Sequence, residues 1–213
     1  MRKLITVLLV NDHSLVRTAI KQLLSKDEDI KVVDDVSSGQ EALQSVREYN
    51  PDVIILDLSM PGMSGLETTY RLLRLNPKAK IIILTSYLND FFVSLLLKAG
   101  ASGYLTKQAN HDELIKAIHS VMRGERYIYE PLAQQLAIQA VNENLLPFMD
   151  LSSREIEILW MICRGETHDQ IAKELFLSKK TVHAYRYSLF KKLHVNSDVE
   201  LTRITIANGF FEF

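Results

Sequence analysis

The sequence has one cysteine, almost no net charge and no long apolar run, and each of these shortages excludes a class of protein. Cys163 has no partner within the chain, so a disulfide-stabilised fold is excluded and we expect a reduced thiol in an apolar core. The 25 basic and 26 acidic residues give a net charge of −1, so any binding of nucleic acid must come from a local basic patch.

The apolar runs are all too short to span a membrane. The amino-terminal run ITVLLV ends in Asn-Asp-His, without the small-residue cleavage site of a signal peptide. We therefore expect a protein with no membrane partner and a cytoplasmic location.

The first part of the chain alternates short apolar strands with amphipathic helices. The predicted strands are ITVLLV, KVVDDV, DVIIL, KIIIL and SGYLT, and the predicted helices cover about 14–26, 39–49, 65–75, 90–99 and 112–123. Nearly continuous apolar strands indicate that helices cover both faces of the sheet. The pattern predicts an α/β domain with a doubly wound, five-stranded parallel sheet of the flavodoxin-like type.

The rest of the chain has helix signals and no strand signal. Residues 131–146 are amphipathic and begin with Pro131, which suits the first turn of a helix. Four short helices follow, with N-cap signals at Ser152, Thr167 and Ser178, and the last helix opens at Asp198. We expect three segments: an α/β domain over 1–123, a linker over 124–147 and an all-α domain over 148–213.

Polar side chains follow the predicted strands where each strand ends. They are Asn11 and Asp12 after the first, Asp57 after the third, Thr85 after the fourth and Lys107 after the fifth. The carboxyl ends of parallel strands meet at one edge of a sheet, so these side chains should converge. Two carboxylates suit a hard cation such as Mg²⁺, while a hydroxyl and an amine suit a phosphoryl group.

Each of these residues also has a simpler explanation. Asp57 is either a nucleophile that forms an acyl phosphate or a residue that shapes the following loop. Asp12 is a candidate ligand of the metal, together with Asp57 and the backbone carbonyl near Ser59. Asn11-Asp12 can also be the N-cap of the first helix, and one residue can do both. Tyr104, in the last strand, is either a core residue or a ring that changes position when the site fills.

The pieces LLVNDH, IILDLSMPGMSGLE, ILTS and KAGASGYLTK together resemble the receiver domain of two-component response regulators, over about residues 4–123. The resemblance implies that Asp57 accepts a phosphoryl group from a sensor histidine kinase and that Asp12 binds Mg²⁺. It also implies that Lys107 contacts the phosphoryl group and that Thr85 and Tyr104 form a switch pair. The family usually has two acids where Asn11 and Asp12 stand. Asn11 keeps an oxygen ligand for the metal but removes a charge, so it predicts weaker Mg²⁺ binding.

A basic segment lies near the carboxyl end, between Ser178 and Leu193. It has no acidic residue and five basic ones, namely Lys179, Lys180, Arg186, Lys191 and Lys192. On a helix these residues lie opposite an apolar side formed by Val182, Leu189 and Phe190. Such a helix either presents a solvated face or enters the major groove of DNA.

The stretch from LSSRE to NSDVEL resembles the LuxR-type DNA-binding domain of the NarL/FixJ regulators, and RYIYEP, AYRYSLFKKL and NSDVEL are most similar to the GacA/UvrY/LetA group. The resemblance implies a helix-turn-helix that binds double-stranded promoter DNA as a homodimer. It implies two sets of DNA contacts: His183, Ala184 and Tyr187 toward the bases, and Lys179, Lys180, Thr181 and Tyr185 near the phosphates. The implied targets are genes for small regulatory RNAs.

We therefore expect a phosphorylation-switched transcription factor and not an enzyme. One alternative is a flavodoxin-like enzyme, although no glycine-rich phosphate loop follows the first strand. A second is a regulator that Asn11 locks in one state without phosphate. A third is an adaptor whose carboxy-terminal helices bind another protein.

Overall fold

The computed structural model of the chain describes residues 4–58, 60–61, 63, 65–85, 93, 96–97, 99–131, 133, 148 and 150–207. The chain forms two compact units, one with all the described strands and one with the last four described helices. Most of the helix predicted for 90–99, nearly all of the one predicted for 131–146, and Ser59 lie outside the described residues.

The first unit is built on a parallel sheet with strand order β2-β1-β3-β4-β5-β6. The strands are β1 Ile5–Val10, β2 Ile30–Val36, β3 Val53–Asp57, β4 Lys80–Thr85, β5 Gly103–Thr106 and β6 Tyr127–Ile128. The helices are α1 Ser14–Leu24, α2 Gly39–Tyr49, α3 Gly65–Leu75 and α4 His111–Met122. The predicted doubly wound parallel sheet is confirmed.

The sheet has one strand more than the five predicted. β6 is two residues long and pairs with β5 through Gly103↔Tyr127 and Tyr104↔Ile128. Two residues are too short to show the alternation that marks a strand in sequence, and only pairing with β5 defines this one.

The central strands form the core of this unit. Every residue of β3 is buried, as are the last four residues of β1 and the last five of β4. On one face Ile20 and Leu24 of α1 and Ile118 of α4 pack against this sheet. Burial on both faces explains the nearly continuous apolar strands in the sequence.

The second unit contains four helices, α5 Ser153–Cys163, α6 His168–Glu174, α7 Lys179–Leu193 and α8 Asp198–Ala207. Ser152, Thr167 and Ser178 cap α5, α6 and α7 as predicted, each accepting a backbone N–H from the third residue of its helix. Their core residues include Ile156, Leu159, Ile171, Val182, Leu189 and Leu201.

Cys163 is buried in this unit, and its Sγ lies 3.1 Å from Thr205 Oγ1. Burial raises the pKa of the thiol. Among the helices of the described residues, none is both long enough and apolar enough to cross a membrane.

Candidate functional site

The strand register brings the predicted site residues to one edge of the sheet. Val10 pairs with Leu56, Asp57 with Leu84, and Thr85 with Thr106. Asn11, Asp57, Thr85 and Lys107 therefore stand at the carboxyl ends of four neighbouring strands, as parallel pairing requires.

Asp57 is a buried carboxylate with two identified donors. Its side chain has no solvent exposure. Its Oδ2 accepts a hydrogen bond from Lys107 Nζ at 2.5 Å and another from Asn11 Nδ2 at 2.8 Å. A carboxylate this deeply buried needs a positive partner, and the Lys107 ammonium supplies it.

The side chain of Asp12 lies next to that of Asp57. Ligand atoms of Asp12, His13 and Asp57 all lie within 4.8 Å of one another. Asp12 Oδ1 is 2.8 Å from His13 Nδ1, yet it is buried and accepts no well-oriented hydrogen bond from the described residues. Buried polar atoms normally have partners, and two adjacent carboxylates fit a hard divalent cation such as Mg²⁺.

Asn11 is held on three sides. Its Nδ2 donates to Asp57, its Oδ1 accepts the backbone N–H of His13 at 2.8 Å, and its carbonyl accepts Arg17 Nη1 at 2.6 Å. The amide oxygen is therefore engaged, and Asn11 meets Asp57 as a hydrogen-bond donor. Sequence reasoning missed Arg17, which α1 carries to Asn11 and which also bonds Asp35 on β2.

Thr85 and Tyr104 are both buried on neighbouring strands. The carbonyl of Thr85 accepts the backbone N–H of Lys107 at 2.7 Å, which fixes the start of the loop that carries the ammonium. Tyr104 has no exposed surface, so in this structure its ring is a core residue.

Gly65 is a further residue that sequence reasoning missed. Its N–H donates to the carbonyl of Leu58 at 3.0 Å, so α3 begins directly against the end of β3. A Cβ on this residue would lie 2.2 Å from the carbonyl oxygen of Asp57, which is backbone and cannot move aside. Only glycine allows this approach of α3 to β3. The sequence signal that could have identified Gly65 is its position shortly after the loop that follows Asp57.

On α7 the residues predicted to contact DNA differ in exposure. Lys179, Lys180, His183, Ala184 and Tyr187 are exposed, and Tyr187 is 70% exposed. Thr181 and Tyr185 are half-buried. The other four residues lie three or four positions apart on successive turns and so share one side of the helix, namely Lys180, His183, Ala184 and Tyr187.

Three of the five cations on this helix form ion pairs with other helices. Lys179 pairs with Asp169 at 2.7 Å, Arg186 with Asp198 at 2.6 Å, and Lys192 with Glu155 at 2.7 Å. Lys180 and Lys191 form no ion pair with any residue that the structure describes. Fewer unpaired cations are therefore available on α7 than its sequence implied. The sequence of α7 could not show this, because the acids that pair with its cations lie on other helices.

Glu155 joins α5 to α7. It accepts hydrogen bonds from Ser152 N at 2.7 Å, Ser188 Oγ at 2.6 Å and Lys192 Nζ at 2.7 Å. Burial raises its pKa, but the bonds from Lys192, Ser188 and Ser152 outweigh burial and lower the pKa to about 2.

Comparison with known proteins identifies both units. Residues 7–119 match the response regulator receiver domain, and residues 149–205 match the bacterial regulatory proteins of the luxR family. The chain is a two-component response regulator. The combination of the two domains also identifies it as a DNA-binding transcription factor and not an enzyme. The alternative of an enzyme with a flavodoxin-like domain is therefore wrong.

Relatives of this response regulator match it over nearly its whole length. It is 43% identical to response regulator GacA of Pseudomonas aeruginosa over 208 residues, covering 97% of each chain. It is 42% identical to response regulator UvrY of Escherichia coli K12, over 97% of this chain and 95% of the relative. These matches confirm the predicted subgroup.

A solved structure is similar as well. RcsB from Salmonella enterica serovar Typhimurium, bound to promoter rprA in the presence of the phosphomimetic BeF3−, has a TM-score of 0.69 and 25% identity, over 95% of this response regulator and 98% of that chain.

Proposed function

We propose that Asp57 is the phosphoryl acceptor of this response regulator and that its acyl phosphate controls binding to promoter DNA. The observation that carries the proposal is the buried Asp57 carboxylate, held by Lys107 beside Asp12, whose buried Oδ1 accepts no well-oriented hydrogen bond from the described residues. In the reaction a carboxylate oxygen of Asp57 bonds to phosphorus as the phosphorus–nitrogen bond of a kinase phosphohistidine breaks.

Asp12 and Asp57 would hold Mg²⁺. The backbone carbonyl near Ser59, a residue outside the described part of the chain, is the third ligand that the sequence predicts. When bound, Mg²⁺ neutralises charge on the transferring phosphoryl oxygens. Asn11 stays outside direct coordination, since its amide oxygen is engaged by His13 and its nitrogen faces Asp57.

Lys107 and Thr85 respond to the loss of charge on Asp57. Phosphorylation converts the Asp57 carboxylate into an acyl phosphate whose carboxyl oxygens carry no charge, so the ammonium of Lys107 loses its ion-pair partner and turns to the phosphoryl oxygens. The Thr85 hydroxyl bonds the same group, and Tyr104 follows Thr85 as the second member of the switch pair.

The receiver covers residues 1–123, the linker 124–147 and the DNA-binding domain 148–213. The active form is a homodimer in the cytoplasm. Phosphorylation shifts an equilibrium between two states of the protein, because the phosphoryl group interacts more favourably with one state than with the other.

The exposed side of α7 reads DNA. His183, Ala184 and Tyr187 face the bases, while Lys179, Lys180, Thr181 and Tyr185 lie near phosphates. The likeness to an RcsB structure bound to a promoter supports promoter DNA as the partner. The likeness to GacA and UvrY supports target genes that encode small regulatory RNAs.

Intact mass after incubation with acetyl phosphate and Mg²⁺ tests the acceptor. The wild-type chain is expected to gain one phosphoryl group, and Asp57→Asn to gain none, because an amide is a poor nucleophile. Asp34→Asn, which changes an acid on β2 outside the site, is the matched control and retains the gain.

Equal phosphorylation of Asp57→Asn and the wild type would show that another residue is the acceptor. No gain in the wild type with either acetyl phosphate or a phosphorylated histidine kinase would favour the phosphate-independent regulator. Affinity for duplex DNA, measured before and after phosphorylation, then tests whether the acyl phosphate changes binding.

A further inference from the structure

Two histidines meet where α6 and α7 pack together. His168 is the first residue of α6, and His183 lies one turn into α7. Their ring centroids are 4.4 Å apart, and the ring planes are tilted by 53°. His183 is exposed, whereas His168 is half-buried against the domain.

The surroundings of His168, the inner of the two histidines, favour the uncharged form of its ring. Burial lowers the pKa of His168, and the neighbouring His183 and Arg186 lower it further, while Asp198 and Asp169 act in the opposite direction. An ordinary histidine has a pKa of about 6.5, so a lowered pKa further favours the neutral form of His168 at pH 7. A neutral ring can pack against His183 without repelling it.

Ring contact limits the freedom of His183. An exposed histidine has several side-chain rotamers, and ordering such a group on binding costs free energy. A ring already held by a neighbour loses less freedom when it meets a base edge. It also meets that edge in a defined orientation, which discrimination between bases by hydrogen bonds requires.

We propose that His168 is a positioning residue for base readout, which holds the ring of His183 in the orientation that contacts the bases. His168 then determines sequence preference through His183 and not through contact of its own. The inference rests on the proposed role of His183. It adds a residue of α6 to the residues of α7 that determine sequence specificity.

The test is selection from a randomised duplex DNA library with the full-length chain, with and without acetyl phosphate. The wild type is compared with H183A, H168N, H168Q and H168F. H183A removes the side chain proposed to contact the bases, and H168N and H168Q remove the ring that packs against it. H168F keeps a flat ring at this position, but one that cannot be protonated. Thermal midpoint and affinity for duplex of unrelated sequence are measured for every variant.

H183A is expected to lose preference at particular base positions. H168N and H168Q should lose preference at the same positions by about threefold to tenfold, the cost of ordering one side chain. H168F should retain it, and the double variant H168N/H183A should match H183A alone. A merely structural role for His168 would lower stability or overall affinity without changing which bases are preferred.

Three results would overturn the proposal. H168N and H168Q could select the wild-type motif, or lose preference at positions that H183A leaves unchanged. H168F could fail to retain the preference although it folds. If the wild type itself enriches no motif, the proposed base readout by α7 is wrong as well. The wild-type result therefore distinguishes failure of the proposed function from failure of the His168 inference alone.

Discussion

At the scale of single residues, Asn11 changes the chemistry of the proposed phosphorylation site. Its amide donates to Asp57 Oδ2 at 2.8 Å, where a second acid would repel that carboxylate. The site therefore has one negative charge fewer to attract a divalent cation. It also has one donor more to hold Asp57 when no cation is bound.

Asn11→Asp is expected to bind Mg²⁺ about tenfold more tightly, because added carboxylate charge raises affinity for hard cations. Without Mg²⁺ the same variant is expected to be less stable than the wild type, since it loses a donor and gains a like charge beside Asp57. Mg²⁺ titration by calorimetry checks the first expectation, and thermal unfolding in chelator the second. Equal Mg²⁺ affinities would refute the weakening that Asn11 predicts.

Phe176, in the turn between α6 and α7, has a conformation that its side chain disfavours. Its φ is 53°, and it is 81% exposed. The left-handed region costs ordinary residues about 1 kcal/mol, while glycine and asparagine adopt it readily. Asn50, which ends α2 at φ 43°, shows the residue type that suits this conformation.

Phe176→Asn and Phe176→Gly are therefore expected to stabilise the second unit by up to about 1 kcal/mol. Phe176→Ala is the matched control, because it removes the ring but keeps the Cβ that disfavours this φ. Urea unfolding followed by fluorescence of Trp160, the single tryptophan of the chain, reports on this unit. Equal stabilisation by alanine would mean that removal of the ring matters and backbone strain does not.

At the scale of elements, Glu155 is the principal polar link between α5 and α7. Its side chain is only 5% exposed, and its carboxylate accepts bonds from both helices. Because its pKa falls from 4.5 to about 2 on folding, the charged form stabilises the folded unit. This contribution is fully present above the unfolded pKa and is lost as pH falls through the folded pKa.

The contribution of Glu155 should disappear between pH 4.5 and about pH 2. Its size is about 3 kcal/mol, from about 1.4 kcal/mol for each pKa unit. Urea unfolding of wild type and Glu155→Gln across this range, again followed at Trp160, isolates it from other carboxylates. Wild type should be the more stable at pH 6, and the gap should close at low pH. A gap that does not change with pH would contradict the assignment.

At the scale of the whole molecule, few cations on α7 are available for the proposed contacts with DNA in a chain of nearly balanced charge. The net charge is −1, and three of the five cations on α7 are already paired with acids. Binding of phosphates releases counterions, so each phosphate contact steepens the dependence of affinity on salt. Lys180 has no acid partner among the described residues and is free to make such a contact.

Lys180→Ala is expected to weaken binding to all duplex sequences and to reduce the slope of log K against log salt by about one. Lys179→Ala, one residue earlier, is the matched control. Its effect should be smaller, because Lys179 must leave Asp169 before it meets a phosphate. Fluorescence anisotropy with unrelated duplex over a range of salt measures both slopes. Equal slopes for Lys180→Ala and wild type would remove Lys180 from the phosphate contacts.

Local signals in the sequence predicted the elements well where a cap or a glycine marked their ends. The expected bounds of α2 and α3 agree with the structure, and the caps at Ser152, Thr167 and Ser178 are confirmed. β6 was not predicted, because two residues carry no periodicity and only the edge of β5 makes them a strand.

The sequence by itself determined the parallel α/β architecture, the helical second unit and which strand ends carry polar side chains, because these depend on periodicity and local backbone preferences. Only the tertiary structure decided which groups meet. It turned the amide of Asn11 toward Asp57, brought Gly65 against the Asp57 carbonyl, paired Arg186 with Asp198 and placed His168 on His183. The physical reason is that these contacts join different elements, and their distances depend on how the elements pack rather than on any local pattern.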